Sequence, residues 1–395
     1  MINYKIPEGF VDHGFLCLTC ACNLRCKYCF VKQHPDSMSL ETAIDAIEFI
    51  NRFKTPGTTA HYQLFGGEPM LMWDKLIVPM VEYIKEKKYD IRFGITTNCT
   101  LVDEERLKYM HENSISILTS FDGPETVQNF QRPCADGSSS FDKAMKIIPS
   151  ILKLDPEMTM RATMLPESVK YLSDVIEFAQ SIGYRHIFTM PDEFMPLTEE
   201  QLSTLEEGIF KYMMYYIECC SKSEWVDGFI HLANFEEELK NSYILTKWDK
   251  PMLGKPVCGL GFHNLSINWN GDLIACQQVS SCEGDNAYNI GNIYLGVDPD
   301  KLRKLQESFV GREVHGQDEK MCKSCIRRSA CNGGNFCHCN SSFNGDIKVK
   351  GKTRCQYDTL LLKYALIARG VLSQMPESIF CKFIEPGIKK ELKIE

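Results

Sequence analysis

The chain has 395 residues, of which 44% are hydrophobic, and its formal net charge is −8. Such a chain can bury a large core as one large domain with a smaller one, or as roughly two to three modules. The negative net charge argues against general binding to nucleic acid or to an anionic membrane, because such binding requires a basic surface. Neither a run of roughly 18 uncharged apolar residues nor a signal peptide occurs, so we expect a cytoplasmic protein with no nucleic-acid or membrane partner.

Short β-rich runs alternate with helical periodicity between about residues 14 and 190. Such alternation is typical of a parallel sheet that closes fully or partly into a barrel, with its chemistry at the carboxyl ends of the strands. We therefore predict an α/β fold with a partial (β/α)6 barrel similar to a TIM barrel. The six predicted pairs are 15–19 with 40–53, 60–65 with 71–87, 91–97 with 104–112, 116–121 with 141–154, 158–163 with 169–182, and 186–190 with a helix opened by the capping box Thr198-Glu-Glu-Gln.

The composition changes near residue 250, where a proline-flanked segment leads into a region rich in glycine, asparagine and cysteine. Helical periodicity returns at 357–373, before a polar tail. We predict a barrel at 10–230, a bridging segment at 231–256, a cysteine-rich domain at 257–360, and a C-terminal helix and tail at 361–395.

Nineteen cysteines are far more than an intracellular chain of this size ordinarily carries. In that setting, clustered cysteines indicate metal ligation or redox chemistry more than disulfides. Most fall into three groups, at 17–29, 258–282 and 322–355. The others are interpreted as small buried apolar side chains or inert thiols: Cys99, Cys134, Cys219, Cys220 and Cys381.

Cys22, Cys26 and Cys29 follow directly on the first predicted strand, so three thiolates converge at the mouth of the barrel. A [4Fe–4S] cubane held by three ligands keeps one iron open, which S-adenosylmethionine (SAM) can chelate through its amino and carboxylate groups. Zinc is the alternative metal, although zinc sites usually need a fourth Cys or His at hand. Cys17 and Cys20 are near enough to compete as ligands, but strand packing accounts for them.

This loop, with the aromatic Phe30 after its last cysteine, resembles the radical SAM superfamily. The resemblance implies that the cluster reductively cleaves SAM to methionine and a 5′-deoxyadenosyl radical, which abstracts a substrate hydrogen. It also implies contacts to SAM at four further strand ends. The implied residues are Gly66, Gly67, Glu68 and Pro69 at the amino group, Thr96, Thr97, Asn98, Ser120 and Asp122 at the ribose and carboxylate, and Arg161 at the carboxylate.

Each of these strand-end motifs has a simpler alternative. Asp122-Gly123 is also the sequence of an ordinary turn, and Asn98 is also a helix-capping residue type. A Gly-Gly-Glu-Pro segment by itself is often only a strand-to-helix connection. Their recurrence at successive strand ends favours the functional interpretation.

The cysteines of the C-terminal half resemble the SPASM extension of radical SAM peptide and protein maturases. The resemblance implies two auxiliary [4Fe–4S] clusters, and so three clusters in all. The outer one would be held by Cys322, Cys325, Cys331 and Cys355, and the inner one by Cys258, Cys276 and Cys337. Cys282 or Cys339 would complete the inner site, or its open iron would bind a substrate thiolate. A zinc ribbon is the alternative for this region.

Within this family two peptide chemistries compete. We favour a ribosomal-peptide maturase that joins a cysteine sulfur to a carbon of the same peptide as a thioether. The alternative is the oxidation of Cys or Ser to formylglycine by sulfatase-maturing enzymes, which carry an Asp where this chain has Gln277. Glutamine cannot accept a proton at neutral pH, which weakens that alternative unless another carboxylate substitutes. Carbon–carbon crosslinking and decarboxylation stay open, and the general base is unassigned.

A non-enzymatic iron–sulfur electron carrier is the hypothesis of a different class. Such a carrier would not need the strand-end motifs or an open cluster. The expected partners of the enzyme are a cysteine-containing peptide or protein substrate and an electron donor such as flavodoxin or ferredoxin. Because the first strand begins by residue 15, we expect substrate recognition to be direct or through a separate leader-recognition protein.

Overall fold

The computed structural model describes residues 9–192, 195–245, 261–262, 264–277, 288–307, 324–327 and 352–394. Of the predicted ligands of the auxiliary clusters, Cys276, Cys325 and Cys355 are among them. Several others lie outside the described residues: Cys258, Cys282, Cys322, Cys331, Cys337 and Cys339.

Six parallel strands form the barrel, and the predicted fold class is confirmed. The first four lie side by side in chain order, and the next two pair with a short seventh strand in a second sheet. A parallel bridge between Ser120 and Arg161 joins the two sheets. The strands are β1 (His13–Thr19), β2 (Ala60–Gly66), β3 (Ile91–Thr97), β4 (Ser116–Thr119), β5 (Thr159–Met164), β6 (His186–Pro191) and β7 (His231–Leu232).

The cysteine-rich half adds strands to the free edge of β1. β8 (Leu265–Ile267) pairs with β1 in parallel, and three antiparallel strands follow it: β9 (Asp272–Ile274), β10 (Asn289–Asn292) and β11 (Gly296–Val297). A Cβ atom on Gly14 would lie 1.9 Å from the Leu265 carbonyl oxygen, so glycine is needed for this close approach. The C-terminal strands therefore extend the sheet of the barrel itself.

Helices follow the strands and cover the barrel. They are α1 (Leu40–Phe53), α2 (Val78–Lys87), α3 (Glu104–Glu112), α4 (Glu125–Gln131), α5 (Ser140–Met145), α6 (Ile148–Leu154), α7 (Leu172–Ser181), α8 (Glu199–Cys220), α9 (Ala233–Ile244), α10 (Pro299–Glu307), α11 (Lys352–Leu372) and α12 (Glu385–Glu391). The capping box predicted at Thr198 is present, with Thr198 and Gln201 each bonding the backbone of the other. No helix of the described residues is long and apolar enough to cross a membrane.

The structure divides one predicted helix and adds elements that the sequence patterns did not indicate. The helix predicted at 141–154 is two helices, α5 and α6, because Pro149 has no amide hydrogen to continue the ladder. The strand predicted at 116–121 ends at Thr119, where Ser120 turns to pair with Arg161. The unpredicted elements are α4, β7, α9, the strands β8 to β11, α10 and α12.

A buried ion network joins the segment around Cys325 to the helix that carries Cys355. The Arg327 guanidinium pairs with Glu238 of α9 and, at 3.1 Å, with Asp358 of α11. Arg354 of α11 pairs with the other oxygen of Asp358 at 2.9 Å. Because a buried charge is stable only when it is paired, these contacts fix α9, α11 and residues 324–327 relative to one another.

Candidate active site

A cavity of about 480 Å³ lies at the carboxyl ends of the barrel strands. This volume is within the range of ~300–1,000 Å³ that is usual for small-molecule sites. Most of the predicted cluster and SAM-binding residues of the barrel line it: Cys22, Cys26, Cys29, Phe30, Gly66, Gly67, Glu68, Thr96, Thr97, Asn98, Ser120 and Arg161. The fold thus brings together side chains that are more than 130 residues apart in the sequence.

The first part of the cysteine loop pairs with residues 131–135, at the end of α4 and just after it. The amides of Arg25 and Lys27 donate to the carbonyls of Pro133 and Gln131, at 2.8 and 3.0 Å. The amide of Ala135 donates to the Asn23 carbonyl at 2.9 Å. This pairing fixes the loop from Asn23 to Lys27, and a turn in which the Cys29 amide donates to the Cys26 carbonyl at 3.2 Å completes it.

Cys22 and Cys26 are half-buried and Cys29 is exposed, and partial desolvation by the surrounding protein raises the pKa of all three thiols. The pKa of Cys22 rises to about 12 and that of Cys26 to about 11, although the Arg132 guanidinium partly opposes the shift at Cys26. The described residues contain no group of His, Cys, Asp or Glu side chains compact enough for a single metal ion. Three thiols around a shared cavity fit the ligand set of an iron–sulfur cluster, whose own positive charge stabilises thiolates.

Gly66 and Gly67 bring the end of β2 against the cysteine loop. The amides of Gly67 and Glu68 donate to the carbonyls of Thr19 and Ala21, at 2.7 and 2.9 Å. A Cβ atom on either glycine would lie 2.1 Å from one of these carbonyl oxygens. The close backbone approach predicted from the glycines is therefore an approach to the loop itself.

Glu68 is a buried carboxylate that lines the cavity. It accepts hydrogen bonds from Thr97 Oγ1 and from the amides of Met70 and Asn98, at 2.8 to 3.0 Å. Burial outweighs these bonds and raises the pKa of Glu68 to about 7. No cation among the described residues pairs with Glu68, so the site has a negative group that a cationic ligand would stabilise. Pro69 begins the short 3₁₀ helix capped by Glu68.

Asn98 ties the end of β3 to the cysteine loop. Its side-chain nitrogen donates to Asn23 Oδ1 at 3.0 Å, and its side-chain oxygen accepts from the Thr100 amide at 3.0 Å. The following helix is capped instead by Asp103, whose carboxylate accepts from the Arg106 amide at 2.8 Å. The interpretation of Asn98 as a helix cap is therefore wrong.

Asp122 is fully buried and is not part of the cavity lining. Its carboxylate accepts from the Tyr28 hydroxyl at 2.6 Å, from Gln131 Nε2 at 2.8 Å and from the Thr163 amide at 3.0 Å. It also pairs with Arg132 at 2.9 Å. These contacts differ from those of an ordinary turn, because they use the carboxylate to hold Tyr28 between Cys26 and Cys29. The predicted SAM contact of Asp122 stays a prediction.

An aromatic pair and an arginine complete the cavity wall. The Phe30 ring stacks on Phe65 with a centroid distance of 6.0 Å. The Arg161 guanidinium lies 4.1 Å from the centroid of the Phe188 ring and has no hydrogen bond or ion pair to any described residue. Burial, and secondly the nearby Arg354, lower the pKa of Arg161. The cavity thus offers an unpaired cation as well as the unpaired carboxylate of Glu68.

Comparison with known proteins identifies the domain that holds this cavity. Residues 16–179 match the family model of the radical SAM superfamily. The chain contains a radical SAM domain. This match confirms the resemblance inferred from the cysteine loop, and with it SAM and one [4Fe–4S] cluster as cofactors. The protein is accordingly an enzyme, and the electron-carrier hypothesis is wrong.

The similarity to some known proteins extends beyond the radical SAM domain. The radical SAM cyclopropyl synthase TigE of Paramaledivibacter caminithermalis is 23% identical over 67% of this chain, and the match spans only 57% of TigE. The serine-type anaerobic sulfatase-maturating enzyme of Klebsiella aerogenes is 22% identical over 83% of this chain and 80% of its own length.

Solved structures share the fold of the chain. Native anSMEcpe with bound AdoMet and Cp18Cys peptide has a TM-score of 0.68 at 18% identity, covering 92% of this chain and 99% of its own. Streptococcus suis SuiB bound to precursor peptide SuiA has a TM-score of 0.55 at 16% identity, covering 88% and 76%. Fold similarity at this identity leaves the reaction open.

Sequence reasoning missed four residues at the radical SAM site. Tyr28 and Asp192 line the cavity, and Arg132 lines it while pairing with Asp122. Gln131 bonds the same carboxylate. A signal existed for Tyr28, which is an aromatic between two cluster cysteines, and for Asp192, which directly follows β6. No sequence signal marked Arg132.

Among the described residues of the cysteine-rich half, one lines the cavity. Gln277 lies there, and the neighbouring Cys276 thiol donates to its side-chain oxygen at 3.4 Å. Cys325 and Cys355 are described but do not line this cavity. The number and ligands of the auxiliary clusters stay predictions, as do the domain boundaries.

Proposed function

We propose that the chain is a radical SAM peptide maturase that forms a thioether crosslink from a substrate cysteine. The proposal combines the radical SAM domain, the cavity at its strand ends and the chemistry of Gln277 at the cavity wall. Peptide substrates are supported by relatives described as sulfatase-maturating enzymes and by a similar structure that contains a precursor peptide.

The cavity residues would hold both cofactors. Cys22, Cys26 and Cys29 would ligate the [4Fe–4S] cluster, leaving one iron for SAM. The carboxylate of Glu68 would face the ammonium group of SAM, and the guanidinium of Arg161 would face its carboxylate, since each lacks an oppositely charged protein partner. When bound, the cluster and SAM supply a 5′-deoxyadenosyl radical that removes a hydrogen atom from the substrate.

The walls of the cavity would protect this chemistry from side reactions. The rings of Phe15, Phe30 and Phe65 form a continuous aromatic wall, with centroid distances of 6.2 and 6.0 Å between neighbours. They offer no proton donor and exclude water from the reacting carbon. The polar strand-end residues Thr96, Asn98 and Ser120 line the same cavity and would orient the substrate C–H bond.

Gln277 is the residue that favours thioether formation over formylglycine formation in this proposal. It lines the cavity at the position where the sulfatase-maturing family has an aspartate, and an amide cannot accept a proton. In thioether formation, the carbon-bound hydrogen atom is transferred to the 5′-deoxyadenosyl radical, which becomes 5′-deoxyadenosine. The thiol proton passes to solvent, and formation of the carbon–sulfur bond releases one electron. The auxiliary clusters that we infer, held in part by Cys276, Cys325 and Cys355, would accept that electron.

Formylglycine formation is the second candidate, and Asp192 favours it. This carboxylate, 8% exposed, lines the same cavity at the end of β6 and could serve as the base that Gln277 cannot be. The anSMEcpe structure that shares this fold contains bound AdoMet and the Cp18Cys peptide. The two candidates therefore differ in whether a cavity carboxylate takes part in proton transfer.

Mass spectrometry of the product distinguishes the two reactions. Short cysteine-containing peptides encoded near this gene are the test substrates. Each is incubated anaerobically with enzyme, SAM and reductant, and is then treated with a thiol-alkylating reagent. We expect the peptide to lose two hydrogens and to resist alkylation. Release of the cysteine sulfur as hydrogen sulfide and its replacement by one oxygen from water, giving a new aldehyde, would show formylglycine formation and contradict the proposal.

Two variants in the same assay test whether a carboxylate at position 192 or 277 takes part in the reaction. Asp192→Asn keeps the size of the side chain and removes its basicity, so thioether formation should persist. Gln277→Asp introduces the carboxylate that the chain lacks and should not raise the yield of crosslink. Abolition of turnover by Asp192→Asn, with SAM binding intact, would instead assign Asp192 as the base.

A further inference from the structure

Three neighbouring strands carry a row of basic side chains at their amino ends. In the strand register, His13 of β1 lies beside His61 of β2, which lies beside Arg92 of β3. Side chains two positions apart on a strand point to the same face, so the row shares the face of Phe15, which lines the active-site cavity. The row therefore lies inside the barrel, at the end opposite to the cluster cysteines.

A second cavity of about 340 Å³, the lower cavity, opens at this row. Its lining includes the row and, in the next layer, Gln63, Gly94 and Ser116. A Cβ atom on Gly94 would lie 2.2 Å from Gln63 Oε1 and 2.7 Å from Ser116 Oγ, so glycine leaves the space that these polar side chains use. Phe15 lines both cavities, which places the lower one directly beneath the active site. Because bulky apolar side chains usually fill the interior of such barrels, this hollow polar end has room for a ligand.

The lower cavity is cationic and has no neutralising partner among the described residues. Arg92 is exposed and makes no hydrogen bond or ion pair to any of them. The His13 and His61 rings stack with a centroid distance of 5.6 Å, and neither pairs with a described carboxylate. Asp12, next to His13, instead accepts from the Thr55 amide at 2.7 Å. A cleft lined by one sign of charge attracts ligands of the opposite sign.

A second stacked pair of histidines, across the barrel, is neutralised by the protein. His186 and His231 lie side by side at the amino ends of β6 and β7, with a centroid distance of 4.8 Å. His186 lies 2.8 Å from a carboxylate oxygen of Glu157, and His231 lies 2.6 Å from one of Glu236. The chain thus supplies carboxylates to one pair and none to the other, so at the lower cavity the negative charge would come from a ligand.

We propose that the lower cavity is a binding site for a phosphate group, either free or carried by a small molecule. The proposal goes beyond the peptide chemistry and does not rest on it. The Arg92 guanidinium is always charged, and its planar fork of N–H donors matches two phosphate oxygens. Each imidazole of the row has a ring N–H to donate to the remaining oxygen even when it is neutral. The volume of about 340 Å³ is enough for a phosphorylated small molecule.

Calorimetry on the cluster-loaded full chain tests the ligand class, with inorganic phosphate, glycerol phosphate and acetate as separate probes. We expect both phosphates to bind, and acetate to bind roughly 10-fold more weakly because it has only two oxygens for three donor groups. Tighter binding of glycerol phosphate would assign a phosphorylated molecule as the ligand, and equal binding would assign free phosphate. Acetate binding as tightly as the phosphates, or no binding of either phosphate, would overturn the proposal.

Three variants test the role of the row in the same titration. Arg92→Gln removes the fixed charge, Arg92→Lys keeps the charge without the fork, and Arg52→Gln removes an exposed arginine from α1 as the matched control. We expect Arg92→Gln to raise the Kd for phosphate by about 10-fold, Arg92→Lys to raise it less, and Arg52→Gln to leave it unchanged. SAM binding in the same samples reports that each variant is folded. A parental Kd in Arg92→Gln would contradict the assignment.

A titration with SAM already bound separates the two cavities. Arg161 in the active-site cavity is another cation that an added anion could reach. If phosphate occupies the lower cavity, its Kd should be the same with and without saturating SAM. Loss of phosphate binding when SAM is present would place the anion in the active site and overturn the proposal.

Discussion

At the scale of single residues, the site contains two kinds of buried charge: one with an oppositely charged protein partner and one without. Asp122 is satisfied within the protein, by Tyr28, Gln131 and the Arg132 guanidinium. Glu68 and Arg161 line the cavity and lack an oppositely charged partner among the described residues. A buried charge without a partner is unfavourable. A charged ligand would therefore gain the most binding free energy by pairing with Glu68 and Arg161.

The raised pKa of Glu68 predicts that SAM binding depends on pH. Its pKa rises from 4.5 to about 7 because the carboxylate is buried, so the group becomes protonated as the pH falls through 7. Only the ionised form attracts the ammonium group of SAM. We expect the Kd for SAM to rise about 10-fold between about pH 8 and about pH 6, measured by calorimetry on the cluster-loaded protein.

Glu68→Gln is the matched variant for this titration. It keeps the shape of the side chain and removes its charge, so SAM should bind more weakly at about pH 8 and with little dependence on pH. A Glu68→Gln protein that kept the pH profile of the parent would show that another group causes it.

At the scale of elements, the site depends on how closely two segments approach the cysteine loop. Residues 131–135 pair with it along one edge, and the end of β2 bonds to Thr19 and Ala21. Neither contact is visible as a pattern in the sequence. The glycines of the Gly-Gly-Glu-Pro motif indicated that something approaches closely, but not what approaches.

Gly67→Ala tests this contact. The added methyl group would lie 2.1 Å from the Ala21 carbonyl oxygen, so the loop or the end of β2 must move. We expect the iron content of the reconstituted protein to fall at least by half, because the three thiols no longer share one geometry.

Gly370→Ala is the control for that substitution. Gly370 lies within α11, and an added Cβ atom meets nothing within 4 Å. Alanine should stabilise the helix by up to about 1 kcal/mol and leave the iron content unchanged. Equal iron contents in the two variants would contradict the steric argument.

At the scale of the whole molecule, the cysteine-rich half is joined to the barrel through β8 and through the buried ion network around Arg327. The network connects α9, α11 and the segment that carries Cys325. A neutral side chain at this position would remove the cation that pairs with Glu238 and would leave Asp358 with Arg354 as its cationic partner. The network thus couples the segments that carry two predicted cluster ligands, Cys325 and Cys355.

Arg327→Met should therefore lower the free energy of unfolding by about 3 to 5 kcal/mol, measured by urea denaturation of the cluster-free protein. Arg303→Met is the matched control, because Arg303 pairs with Asp300 on the exposed surface of α10. Its effect should stay below about 1 kcal/mol. Similar losses for both variants would show that the buried network adds little.

The sequence by itself determined the features that depend on local spacing. The cysteine spacing of the loop, the alternation of strands and helices and the capping box at Thr198 each follow from residues a few positions apart. These are covalent or short-range constraints, so they predicted the fold class and the radical SAM chemistry. The glycine motif likewise predicted a close backbone approach.

Only the tertiary structure decided which side chains meet across the barrel. It turned Asp122 towards Tyr28 and away from the cavity lining, added Arg132 beside the cluster cysteines, and brought Gln277 to the cavity from the other half of the chain. The physical reason is that such contacts depend on the packing of segments far apart in sequence. No local pattern encodes that packing, because each strand-end residue is equally compatible with a turn, a cap or a ligand contact until its neighbours are in place.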